Sequence, residues 1–117
     1  MWIKRSMLFV FVILLASSAF AASSYYVDNS IAASGNGSQR SPWKNLSDIN
    51  WITIKGASKP CMIYLSGGAT TQTYGALNVN ASGTSRGNEI IIKRPTSAEW
   101  PGHSGMVYIV SLLIYLC

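Results

Sequence analysis

Carboxylates are scarce in this 117-residue chain, with only Asp28, Asp48, Glu89 and Glu99. Glycoside hydrolysis needs two carboxylates a few ångströms apart across the scissile bond. Asp28 falls at a strand end and Asp48 at a helix start, and Glu89 and Glu99 flank one strand. Nothing in that spacing brings two together. A loop built around Asp28 alone also offers too few acidic oxygens for a hard cation. Histidine is scarcer still. His103 is the only one, in a Gly/Ser loop with no Cys or carboxylate beside it, which fits a surface or packing residue better than a metal ligand or a catalyst. The sequence therefore offers no catalytic, cofactor-binding or metal-binding residue, and no cofactor is expected.

Charge as a whole is low, at 11% of residues, while 49% are hydrophobic. That balance excludes a disordered chain. The basic residues are scattered at Arg40, Lys44, Lys55, Lys59, Arg86, Lys93 and Arg94, with one adjacent pair. A nucleic-acid partner needs basic residues clustered on one face and is excluded on that ground. Cysteine is limited to Cys61 and Cys117. Their separation in space cannot be read from sequence, and two free thiols, with Cys61 buried, are the expectation.

What is present begins with an export pattern. Residues 1–21 read as a cleavable signal peptide: Lys4 and Arg5, an unbroken apolar run over 7–16, then Ala19-Phe20-Ala21 before the cut. The run is shorter than the roughly 20 residues of a spanning helix. The mature chain is thus expected outside the membrane, secreted, periplasmic or on the cell surface. Without Lys4 and Arg5 the formal charge falls from +5 to +3.

Residues 22–55 form the next unit. Tyr25-Tyr26-Val27 is β-prone, the stretch 34–38 (Ser-Gly-Asn-Gly-Ser) is a loop that admits positive φ, and Ser41-Pro42-Trp43 leads into Asn45. Asn45 is a good N-cap with Asp48 three residues on. A helix of about two turns is expected there, with Leu46, Ile49 and Ile52 pointing inward and the β-branched run 52–54 weakening its continuation. So short a helix needs an apolar surface to sit on.

After Gly56 the chain changes to short apolar runs separated by turns: 61–65, 74–79 and 89–93 (ended by Pro95) within 56–105, and a fourth over 107–110. The spacing suits hairpins of a β-sandwich as well as stacked coils. The Tyr25-Tyr26-Val27-Asp28 segment, the Gly-Asn-Gly-Ser loop and the Ser41-Pro42-Trp43-Lys44-Asn45-Leu46 stretch resemble the N-terminal cap of secreted right-handed parallel β-helix (pectate-lyase-like) proteins. The resemblance covers about 25–105. It implies an all-β chain that starts a right-handed parallel β-helix under a short capping helix, preceded by the signal helix. It also implies a polysaccharide partner. Full-length lyases of this kind hold Ca²⁺ with several acidic residues on central coils; no such cluster occurs here, and no activity is expected of this chain alone. The alternative is a non-enzymatic, adhesin-like surface solenoid.

Two further expectations concern single features. Trp100, in a loop before Pro101, is the tryptophan expected to be exposed and the candidate carbohydrate contact. Residues 106–117 form an apolar tail interrupted only by Ser111, expected to be a truncated or frame-shifted coil and an aggregation hazard on an open edge.

Overall fold

A computed structural model describes residues 22–81 and 89–114, with side chains as far as Ser111. The signal reading of 1–21, the glycine turns of 82–88 and Cys117 lie outside these residues. The described chain is mostly strand with little helix: β1 (Ser23–Val27), a 3-10 turn (Leu46–Asp48), α1 (Trp51–Gly56), β2 (Cys61–Leu65), β3 (Thr71–Val79), β4 (Ile90–Lys93) and β5 (Met106–Ile114). Among the described residues no helix is long and apolar enough to cross a membrane.

All strand pairing among the described residues is parallel. One sheet has the order β1-β2-β4 and the other pairs β3 with β5. No described strand turns back on its neighbour as a hairpin: the chain passes through the 3-10 turn and α1 between β1 and β2, through β3 between β2 and β4, and through β4 between β3 and β5. Parallel strands covered on both faces read as nearly continuous apolar runs, which is the composition of Cys61–Leu65.

Register stacks like on like. Tyr25, Ile63 and Ile92 share one row, and Ser23, Cys61 and Ile90 another. Side chains alternate across a strand, so these rows face inward. Val27, Ile63 and Leu65 are buried there with Leu46, Ile49, Ile54 and Tyr74. The opposite face carries the row Tyr26, Tyr64, Lys93. Its two tyrosine rings lie 5.3 Å apart. The loop over 94–105 folds across this row. Glu99 accepts from the Tyr64 hydroxyl at 2.8 Å and pairs with Lys93 at 3.2 Å. Hydrogen bonds from the Thr96 N–H, Tyr64 and Lys93 hold the Glu99 carboxyl down at about 2, and burial with the Glu99 bond raises the Tyr64 phenol to about 12.

The outer edge of β1 is closed by the glycine loop. Tyr26 N–H donates to the Gly37 carbonyl at 2.8 Å, Trp43 N–H to Tyr26 at 3.0 Å, and Asp28 N–H to Trp43 at 2.8 Å. Gly37 has φ +89°, and a Cβ there would fall within 2.8 Å of the Trp43 ring. The loop therefore lies directly on Trp43, whose other neighbour is the stacked Tyr25 ring at 5.5 Å.

The capping helix differs from expectation. Asn45 and Asp48 do pair, Asp48 Oδ2 accepting from Asn45 N–H at 3.0 Å, but they hold only the 3-10 turn. Asn50 then starts α1 afresh, its Oδ1 accepting from Ile52 N–H at 3.1 Å and Thr53 N–H at 3.2 Å. A second N-cap resets the helical phase. Ile52, expected to point inward, is 83% exposed, and Ile54 fills the core instead. The Lys59 ammonium closes the far end, donating to the carbonyls of Ile54 and Ala57 at 2.8 Å.

Cys61 is a free thiol with no exposed surface. Burial pushes it above its ordinary range, against a smaller opposing effect of Lys59. In a Cys117→Ser background, Cys61 is expected to resist a thiol-specific chromophoric reagent until denaturant is added. Labelling of the native chain at the denatured rate would show that this sheet opens readily.

Candidate functional site

Four side chains from four segments meet where the strands of the first sheet end. Asp28 follows β1 and Ser66 follows β2. Val27 and Leu65 are register partners, so the next residues are neighbours. Gln72 comes from β3. His103 comes from the loop before β5, and that loop is held by backbone bonds: Gly67 N–H to His103 at 2.9 Å and Gly105 N–H to Gly68 at 2.9 Å. Asp28 and Ser66 are buried, at 4% and 0% exposure, while the His103 ring is partly open.

Counting protons fixes the direction of each bond. Gln72 Nε2 donates to Asp28 Oδ1 at 3.0 Å and also to Asn29 Oδ1. Gln72 Oε1 must then accept, and its partner is the Ser66 hydroxyl at 2.7 Å. That bond uses the one proton Ser66 has. Ser66 Oγ also accepts from Gly68 N–H at 3.1 Å. His103 Nδ1, 2.7 Å from Ser66 Oγ, is therefore the donor in that pair. The same nitrogen lies 3.5 Å from Asp28 Oδ2. His103 thus carries a proton on Nδ1.

This is not a nucleophile triad. In a triad the serine and the carboxylate occupy opposite ring nitrogens; here both face Nδ1. The Ser66 hydroxyl is inaccessible and its proton is committed to Gln72. Asp28 Oδ1 further accepts from Ser30 N–H at 3.0 Å and the Ser30 hydroxyl at 2.6 Å. Burial raises the Asp28 carboxyl, but the bonds from Ser30 and Gln72, with the attraction of His103, bring it below its ordinary value. The Tyr74 hydroxyl sits 2.8 Å from the Ser66 carbonyl and 3.1 Å from that of Val27, and burial pushes its phenol well up. The cluster ties both sheets and the 94–105 loop together through groups whose hydrogen bonds are satisfied.

Trp100 is not the exposed tryptophan the sequence suggested. It is 5% exposed. One face stacks on His103 at 3.9 Å and the ring meets Tyr26 edge-on at 4.9 Å. The exposure on which Trp100 was named a candidate carbohydrate contact is therefore not found. His103, read as a surface or packing residue, does pack on Trp100, but it also has a buried carboxylate opposite Nδ1. No three His, Cys, Asp or Glu side chains group together among the described residues. Sequence reasoning missed the cluster because its members lie far apart in the chain. The usable signal was the polar residue that directly follows the apolar runs at Val27 and Leu65, together with their parallel register.

Comparison with family models, with curated proteins and with solved structures found no match to this chain.

Proposed function

We propose that residues 22–114 are the cap and first coils of a right-handed parallel β-helix in an exported protein of the polysaccharide-binding or polysaccharide-degrading class. The observation that carries this reading is the pairing pattern, β1-β2-β4 in one sheet and β3-β5 in the other, every ladder parallel. A chain that visits two sheets in turn and stacks parallel on its previous visit is what coils of a solenoid require. The loop on the outer edge of β1 supports a capping role, since edge strands left open are aggregation sites.

Within this chain the reading is one of binding rather than catalysis. Asp28 and Ser66 are locked in the corner cluster. The adjacent carboxylate Glu99 is held by Tyr64 and Lys93. The same facts support the alternative of an adhesin-like surface solenoid, which shares the export signal and the architecture.

The test is to express residues 1–117 in a bacterium, sequence the N-terminus of the exported product, and apply it to immobilised polysaccharides. Export with Ala22 first, and retention by at least one polysaccharide without chain cleavage, is the expected result. A product that stays in the cytoplasm with residues 1–21 attached, or that binds none of the polysaccharides, overturns the proposal.

A further inference from the structure

We infer that the groove between the 3-10 turn and β3 is a binding site for a neutral saccharide. The inference deepens the carbohydrate reading above and rests on it for the ligand class. The site itself is separate from the corner cluster and from Trp100.

The groove has a volume of about 310 Å³, with Asn45, Leu46 and Ser47 on one side and Gly75, Ala76 and Asn78 on the other. That is the small end of ligand clefts, which run roughly 300–1,000 Å³. A break in strand alternation makes it. Tyr74 and Leu77 both point into the core, so Gly75 and Ala76 between them are both exposed. Two small residues in succession leave a shallow floor where a ligand can lie close to the backbone.

The rim is polar and uncharged. The Ser47 hydroxyl and the Asn78 amide have no hydrogen-bond partner among the described residues, and Asn45 spends one amide proton on Asp48 at 3.1 Å. Hydroxyls and amides donate and accept at once, which matches sugar hydroxyls that do the same. No Lys, Arg, His, Asp or Glu lines the groove. A uronic acid would find no cation for its carboxylate, and a cationic ligand no anion. Gly75 and Ala76 give the floor a small exposed apolar surface for the C–H face of a sugar ring, with Leu46 and Tyr74 buried behind it.

Gly75 provides the decisive variant. A Cβ at this position meets no heavy atom within 4 Å, and its φ is not in the left-handed region. Valine is favoured in strands, so Gly75→Val is expected to fold with an unchanged or higher Tm while its side chain occupies the floor. Asn78→Ala, also on an exposed position, removes one rim amide.

Binding is measured by calorimetry with neutral gluco-, xylo- and manno-hexasaccharides and with an oligogalacturonate. At least one neutral hexasaccharide is expected to bind, and Gly75→Val to weaken it by about tenfold or more, with a smaller loss in Asn78→Ala. Neutral binding that Gly75→Val leaves unchanged overturns the groove and leaves the carbohydrate reading standing. Binding of the oligogalacturonate alone overturns the neutral specificity. No binding of any sugar by a folded wild-type chain overturns both readings.

Discussion

Gly67→Ala is expected to abolish cooperative unfolding of the mature chain. A methyl group at Gly67 would fall inside the carbonyl group of Gly105, and one at Gly105 would fall on the Gly67 and Thr70 carbonyls. Neither glycine has a positive φ, so the obstacle is space alone. The two backbones touch because Gly67 N–H bonds to His103 and Gly105 N–H to Gly68. Backbone cannot swing aside as a flexible side chain can. Relieving the clash means parting this ladder, which carries His103 to Ser66 and the first residue of β5 to Thr70. The expected cost is about 4 kcal/mol or more, in the class of the largest single-residue effects. Gly56→Ala is the control. Its Cβ meets nothing within 4 Å at the end of α1, and alanine there is expected to be neutral or to stabilise by up to about 1 kcal/mol. Urea unfolding followed by circular dichroism distinguishes the two. Equal midpoints for both variants would show that the Gly67–Gly105 approach is not a feature of the folded chain.

The strands were the legible part of the sequence. The apolar runs at 61–65, 74–79, 89–93 and 107–110 all became strands, because Val, Ile and aromatic residues suit a half-buried pleated surface. The pairing of those strands was not legible. Run lengths and intervals are the same for antiparallel and for parallel neighbours, and only the register, such as Ile63 against Ile92, separates them. The capping stretch was half legible. Asn45 and Asp48 do form a helical start, but Asn50, a second capping residue of the same chemistry, outcompeted its continuation. Trp100 was misread for a simpler reason. Position before Pro101 says that a residue is in a loop, and it does not say that the loop folds over the Tyr26–Tyr64 row. The corner cluster was hidden by the same gap. Asp28, Ser66, Gln72 and His103 each looked unremarkable locally, and only the parallel register stacks the ends of β1 and β2.

Asp28→Asn is expected to destabilise the chain by about 2–3 kcal/mol at neutral pH, the scale of charged hydrogen bonds in a buried setting. Asp28 is 4% exposed, so little solvent screening discounts the figure. The carboxylate accepts from the Ser30 N–H and hydroxyl and from Gln72 Nε2, and His103 Nδ1 lies 3.5 Å from its other oxygen; an asparagine must turn either its oxygen or its NH₂ toward donors that all point inward. Its direction with pH follows from the shift. The folded carboxyl lies below its ordinary value of 3.8, so the folded state favours the ionised form. The stability this contributes is complete above the ordinary carboxylate range and is lost as pH falls through the folded value. The gap between wild type and Asp28→Asn should therefore begin to narrow as pH drops below about 4 and reach its residual value once pH has fallen below the folded carboxyl's own value, where both side chains are neutral. Glu99, held at about 2, gives an acid limb of its own, so both chains are best compared in a Glu99→Gln background. The residual gap at low pH measures geometry alone, and the part that disappears measures charge. A gap that stays constant from neutral to acid pH would mean that the corner is held by shape, with the Asp28 charge contributing nothing.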